Sequence, residues 1–370
     1  MARLSALPGN FIGGGGLVNQ LKKATFAVDK TCLANENSGS VTNHQSEVAL
    51  PEQSPATSFH LKQTLPKVAI LLCTYHGQHY LAEQLDSFSA QIYSNWEVWA
   101  SDDGSQDDTH AILENYRQKW RGERLSIHFG PAEGFAANFM SLTCKASIQA
   151  DYYAYSDQDD VWEVDKLQRA MAWLLPIPKD VPALYCSRTR LVNAENKDIG
   201  FSPLFIKPPS FANALMQNIG GGNTMVFNDA ARKLLSEVGE DVDVVTHDWW
   251  AYMVVSGCGG QVFYDAYPSL RYRQHGGNLM GMNSSWFARF VRIRMLWQGR
   301  FRHWNDRHIR ALQGLRDRLT TENRAILDCF AKARTQPLFP RLIGLKRSGI
   351  HRQTLLGNLG LVAAAIFKKI

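Results

Sequence analysis

Three carboxylates crowd four residues of the chain: Asp157, Asp159 and Asp160 in "YSDQDDVWEVDK", straight after the aromatic run "YYAYS". Oxygen ligands at that density suit a hard divalent cation, and Mg²⁺ or Mn²⁺ commonly takes one or two carboxylates together with substrate phosphates. A bare diphosphate about 4 Å from one carboxylate would be repelled by roughly 4 kcal/mol per charge pair at an effective dielectric near 20. A cation between them turns that repulsion into attraction. The same residues also read as a solvated turn, in which Asp160 or Glu163 favours the dipole of the helix that follows.

The elements around this cluster decide what it faces. "VAILLC" predicts a buried strand, and "HYLAEQLDSFSAQ" after it has Leu81, Leu85 and Phe88 at helical spacing. A second strand, "WEVWAS", runs into "SDDGSQDD", where Ser105 and Asp108 have the spacing of a capping pair before the helix "HAILENYRQKW". "RLSIHFG", "GFAANFMSLTCKASIQA", "YYAYS" and "VDKLQRAMAWLL" continue the alternation. The expected class is α/β, a mainly parallel sheet flanked by helices on both faces. Ligands bind such sheets beyond the carboxyl ends of the strands. Thr74 and Tyr75, Asp102 and Asp103, and Asp157 and Asp159 are therefore expected on one edge, as an acidic cleft. After Pro182 the pattern shifts to mixed short strands and one helix, a second lobe completing that cleft.

Apolar residues make up 45% and charged residues 20% of the 370, enough for a large core, so disorder is expected only locally. Residues 1–66, rich in Ser, Asn, Gln, Gly and Pro without any apolar period, predict a disordered extension. The six cysteines form no CxxC pair, which points to neither a zinc knuckle nor a disulfide framework. Pro, Asn and four glycines break the N-terminal stretch, and no run reaches about 18 to 20 apolar residues. A reduced, cytoplasmic chain that does not span a membrane is expected.

The net charge of +6 sits mostly in the C-terminal part. There Trp286, Phe290, Ile293, Trp297, Phe301 and Trp304 recur at steps of three or four, flanked by Arg289, Arg294 and Arg300. Such a helix either lies on an anionic membrane surface, at the inner face of the plasma membrane, or packs on the preceding domain. "LGLVAAAIFKKI" at the end reads as a weak additional anchor. The aromatics are aligned rather than interleaved for base stacking, so no nucleic acid partner is expected.

"CTYHG", "SDDGSQDDT", "GFAANF", "YSDQDDVWEVDK", "GGGNTMVFN", "HDWW" and "YRQHGGN" follow one another over about Val68 to Asn278. In that order they resemble the family 2 glycosyltransferases of GT-A nucleotide-sugar fold, and most closely the bacterial rhamnosyltransferase-like branch. The resemblance implies an inverting hexosyltransferase with a Rossmann-like GT-A domain at 67–282, its nucleotide-binding part at 67–180 and its acceptor part at 181–282. A basic amphipathic helical region at 283–370 completes the chain. The implied donor is a nucleotide-diphosphate sugar, dTDP or UDP, with rhamnose the leading choice. The implied acceptor is a glycan or lipid-linked saccharide in cell-surface polysaccharide synthesis, and the implied cofactor is Mg²⁺ or Mn²⁺.

Site roles follow from the same resemblance. Thr74 and Tyr75 match the loop that holds the base, Tyr75 as its stacking partner, with His76 where the family more often has Asn. Asp102 matches the carboxylate that accepts a hydrogen bond from the pyrimidine, with Asp103 beside it; Glu83, Gly134 and Asn138 match positions that border the donor. Asp157 faces ribose and metal, Asp159 coordinates directly and Asp160 fixes the loop. His275 either completes the metal sphere or is an ordinary loop histidine.

Inverting transfer needs a carboxylate opposite the leaving diphosphate to take the acceptor's proton. The resemblance puts Asp248 of "HDWW" there, whereas local spacing alone reads "THDWW" as a helix start with Thr246 or Asp248 as N-cap. Trp249 and Trp250, with His247, are either an acceptor platform or core. Gly221, Gly222 and Asn223 of "GGGN" allow either close approach of an acceptor or simply a tight connection. Two rivals share the cleft. A nucleotidyltransferase would want a basic Gly-rich loop, and "CTYHGQHY" holds no Lys or Arg; a non-catalytic homologue would bind the nucleotide sugar without turnover.

Overall fold

A computed structural model describes residues 65–274 and 300–370. Nearly all of the expected N-terminal extension, together with His275 and the stripe positions Trp286, Phe290, Ile293 and Trp297, lies outside the described residues.

Strand β1 (Val68–Thr74) organises the rest, and all seven of its residues are buried. β2 (Trp96–Asp102) and β4 (Tyr152–Ser156) flank it, both parallel, and helices cover both faces. Val68, Ile70 and Leu72 join one core with residues of α1 (Leu81–Ser89) and α4 (Lys166–Leu174). Ala69, Leu71 and Cys73 join a second with residues of α3 (Phe135–Cys144) and α7 (His247–Gly257). A strand buried on both sides has no polar face, which is why its sequence is an unbroken apolar run.

β3 (Leu125–Phe129) pairs parallel with β2, after the connecting helix α2 (Thr109–Lys119). The capping pair read into that helix is not made. Asp107 Oδ1 accepts the Thr109 amide at 3.1 Å, and Ser105 is turned toward Asp102.

Beyond Pro182 the chain does not form a separate lobe with one helix. β8 (Val226–Asn228) pairs antiparallel with β4, β6 (Ala183–Val192) antiparallel with β8, and β9 (Gln261–Arg273) parallel with β6. β5 (Val161–Trp162) closes the order β3-β2-β1-β4-β8-β6-β9-β5, with β7 (Asp198–Phe201) beside β6. The reason is backbone satisfaction: β4 is buried along its whole length, and a buried strand edge left open would strand its N–H and C=O groups. Three helices accompany these strands, α5 (Phe211–Ala214), α6 (Asp229–Ser236) and α7. The result is a mixed α/β arrangement, the class that the motifs implied.

Four helices follow among the described residues: α8 (Arg300–Gln313), α9 (Thr321–Thr335), α10 (Leu338–Arg347) and α11 (Leu355–Ile366). The two aromatic stripe residues that are described, Phe301 and Trp304, meet edge to face, and Trp304 packs on Trp249. Among the described residues no helix is long and apolar enough to cross a membrane.

Candidate active site

Thr74 lies opposite Asp102 and Leu72 opposite Ser156 in the parallel ladders, so the loops leaving β1, β2 and β4 open on one edge of the sheet. The loops there are tightly braced. Asp102 Oδ2 accepts the Thr74 and Ser105 hydroxyls, each at 2.7 Å, and Oδ1 accepts the Gly104 and Ser105 amides. Four donors fill the acceptor positions of one carboxylate. A pyrimidine would have to displace one of them to bond Asp102. Asp103 accepts the Ala132 and Gly134 amides at 2.7 and 3.0 Å and so fixes the entry to α3. Asn138 is buried, donates to Ser101 O at 3.0 Å and leaves its Oδ1 without a partner among the described residues.

The Tyr75 ring is 57% exposed at this edge, an open face for stacking. His76 next to it has φ 51°. Side chains tolerate that left-handed region poorly, Asn and His being among the better suited; both the family's Asn and this His fit that constraint. Gln158, between the two aspartates of the "DQD" triplet, accepts the Tyr75 amide and donates to the Tyr75 carbonyl, both at 2.8 Å. A Cβ on Gly77 would come within 2.3 Å of Gln158 Oε1, so a side chain there would push the Gln158 amide off the Tyr75 backbone.

Asp157 follows Ser156 at the end of β4. Its carboxyl is held above the ordinary range, first by burial and then by the charges of Asp159 and Asp248. Asp159 and Asp248 therefore both act on Asp157, although they stand 89 residues apart in sequence. Asp160 is fully buried, accepts Asn223 Nδ2 at 2.5 Å and the Arg273 amide at 3.3 Å, and is itself held well up by burial. Lys166 lies beneath it, also fully buried, its ammonium 3.7 Å from the Trp162 ring centroid. Burial pulls that amine down to about 7 against the opposing charge of Asp160.

Arg273, 1% exposed, locks this loop from β9. Its Nε donates to Asp159 O at 3.0 Å, its Nη1 to Ala194 O at 2.8 Å, and its Nη2 to Glu83. Glu83 also accepts Asn196 Nδ2 at 2.8 Å. The structure thus places Glu83 in an ion pair that ties α1 to β9.

Asp248 stands in the first turn of α7 and accepts the Gly222 amide at 3.0 Å and its neighbour's amide, Trp249 N, at 2.6 Å. Thr246 is the N-cap but makes no side-chain cap bond. The flanking residues are not an acceptor platform. Trp250 is fully buried, Trp249 is buried and donates to Ala214 O at 2.6 Å, and His247 stacks on Phe139 at 3.8 Å between ring centroids. Packed on all sides, α7 exposes almost nothing but Asp248. The glycine run serves the same packing: a Cβ on Gly222 would sit 2.3 Å from His247 Nε2, and Asn223 is turned inward to Asp160. Gly221, one residue earlier, is exposed and caps the short turn.

His308 of α8 supports α7 from below, its ring 4.7 Å from Trp249 and its Nε2 accepting the Val245 amide at 3.4 Å. Burial, reinforced by the Arg307 charge and opposed by Asp243, lowers its pKa to about 3. A base depressed in the folded state contributes fully above its unfolded value near 6.5 and loses that contribution as pH falls. Between pH 6.5 and 5, wild type should therefore lose about 2 kcal/mol more than His308→Leu. Thermal melts of both proteins across that interval check it, and parallel curves would contradict it.

Sequence reasoning missed Gln158, Arg273 and Lys166 as parts of the site. Each lies inside or beside a motif already singled out, "SDQDD", "YRQHGG" and "VWEVDK", but nothing in the spacing shows that Gln158 reaches Tyr75 or that Arg273 reaches Asp159.

Residues 69–235 match the model for Glycosyl transferase family 2. The dTDP-rhamnosyl transferase RfbG of Shigella flexneri is 27% identical over 238 residues, 60% of this chain and 78% of that protein. An Escherichia coli UDP-Glc:alpha-D-GlcNAc-diphosphoundecaprenol beta-1,3-glucosyltransferase, WfgD, is 25% identical over 163 residues, 44% of this chain and 60% of that protein. Staphylococcus aureus TarS (residues 1–349) superposes with a TM-score of 0.47 at 15% identity, covering 76% of this chain and 90% of that one.

Proposed function

We propose that the chain is a family 2 glycosyltransferase that transfers rhamnose, with inversion, from a dTDP donor to a lipid-linked saccharide in surface-polysaccharide synthesis. The observation that carries the reading is that Asp159 and Asp248, from two distant motifs, both act on Asp157, which follows β4 at the edge where the base loop also opens. The likeness to RfbG supports the donor, and the likeness to WfgD supports an acceptor carried on a lipid.

A divalent cation fits these residues. Burial and the Asp159 charge oppose ionisation of Asp157, which a positive charge relieves, and the oxygens of both residues suit Mg²⁺ or Mn²⁺. Among the described residues no three acids, histidines or cysteines converge as a complete cage, so donor phosphates would share the coordination with Asp157 and Asp159. When bound, the ion offsets charge on the departing diphosphate.

The chain's own residues do the rest. Tyr75 stacks on the base, and the Gln158 clamp sets the spacing between base loop and diphosphate loop. Asp248 accepts the proton of the acceptor hydroxyl as its oxygen bonds the anomeric carbon. The carbon–phosphate oxygen bond breaks on the opposite face, its electron pair leaving on the nucleoside diphosphate. Arg273 and Glu83 keep Asp159 in register without touching substrate.

Incubation of the full chain with dTDP-rhamnose and a panel of UDP sugars, read as nucleotide release and product anomer, tests the reading. Release from dTDP-rhamnose in preference to the UDP sugars, inverted product and loss of activity on chelation are expected. Retained configuration, or activity unchanged by full chelation, would overturn the mechanism or the cation respectively.

A further inference from the structure

Helix α11 turns an apolar face outward. Leu355, Leu359, Val362 and Ile366 fall within about 60° of one another around the helix, with Leu356 and Phe367 alongside, and these six are 45–76% exposed. Its inner side is Ala364 and Ala365. That is the reverse of the pattern for a helix facing water. The patch continues onto α10, where Phe339 and Ile343 are exposed. Arg341 ties the two helices by donating to Ala365 O at 2.6 Å. It reaches Ile206 as well, since the adjoining Lys207 donates to Gln353 and to Arg352 O just ahead of α11. Contiguous exposed apolar area of this kind marks a contact surface.

Charge says which contact. From Leu338 to Ile370 there is no Asp or Glu, whereas Arg341, Lys346, Arg347, Arg352, Lys368 and Lys369 are basic. A second copy of the chain would set this basic rim against itself across a two-fold axis. An anionic bilayer pairs with both features at once. At 12 residues the helix is about 18 Å long, well short of a span, and so suited to lie in the interface plane.

We propose that α10 and α11 dock the chain on an anionic lipid surface, the apolar face of α11 entering the acyl boundary while Lys346, Arg347, Lys368 and Lys369 meet headgroup phosphates. This deepens the reading of a lipid-linked acceptor, which is encountered at such a surface, and it rests the contact on the last two helices, whose end the sequence offered as a weak additional anchor.

The test is flotation of the full chain with vesicles of phosphatidylcholine alone and with about a third phosphatidylglycerol. Binding to the anionic vesicles only, weakened by salt, is expected. Leu355→Gln/Leu359→Gln/Ile366→Gln, and separately Lys368→Glu/Lys369→Glu, should each lower partitioning roughly tenfold, with melting temperatures unchanged because these side chains lie at the surface. Both variants should keep wild-type turnover on a water-soluble acceptor, which separates failure of docking from failure of the transferase reading. Absence of flotation with anionic vesicles, or equal binding by wild type and both variants, would overturn the proposal. A concentration-dependent dimer abolished by the triple substitution would overturn it in favour of a second copy.

Discussion

Asp248→Asn should lower kcat by roughly a thousandfold while donor affinity stays within about twofold of wild type. The substitution is nearly isosteric, and an amide oxygen can still accept the Gly222 amide that Asp248 accepts at 3.0 Å. The Trp249 amide loses its acceptor on the other oxygen, but the tie to Gly222 holds the first turn of α7 in place. What is lost is the capacity to hold a proton from the acceptor, an event on the reaction path that donor binding does not require. If Asp248 served only as a helix-terminal charge, the same change would cost about 0.5 kcal/mol of stability and leave turnover alone. Single-turnover kinetics, donor calorimetry and a thermal melt separate the two, and turnover near wild type would remove Asp248 from the chemistry.

Arg273→Met should lower stability by about 3 kcal/mol, a fall of about 5 °C in Tm, and raise the donor KM more than it lowers kcat. Methionine retains the apolar stem and the backbone amide that meets Asp160. It loses the guanidinium bonds to Asp159 O, Ala194 O and Glu83, leaving two carbonyls without those donors. Glu83 is half exposed and can turn to water, so the cost falls on the loop rather than on an abandoned charge. Arg273→Lys should not rescue, since a single ammonium cannot reach three divergent acceptors in one plane. The KM effect distinguishes positioning of Asp159 from general loosening: a lower Tm with both kinetic constants unchanged would assign Arg273 to stability alone.

Much of this architecture could be read from residue order. The unbroken apolar run of β1, the helical spacing of Leu81, Leu85 and Phe88, and polar residues recurring at each strand end already implied a parallel core with one active edge, because strand direction and burial are properties of local pattern. Less local features were read wrongly. The segment after Pro182 was expected as its own lobe, but "TMVFN" completes the edge of β4; which strand satisfies which edge depends on partners far apart in sequence. Ser105 has the spacing of a cap and instead joins the Asp102 network.

Residue types announced that Asp157 and Asp159 could hold a cation, since carboxylate chemistry travels with the side chain, whereas only the family resemblance put Asp248 forward to take a proton. Whether neighbours serve chemistry or packing depended on three-dimensional burial. In "HDWW" the turn leaves Asp248 partly exposed and sends His247, Trp249 and Trp250 into the core. The reach of Gln158 to Tyr75 and of Arg273 to Asp159 likewise exists only once the sheet has brought loops 83 and 114 residues apart into contact, because hydrogen bonding is decided by distance in space and spacing along a chain does not encode it.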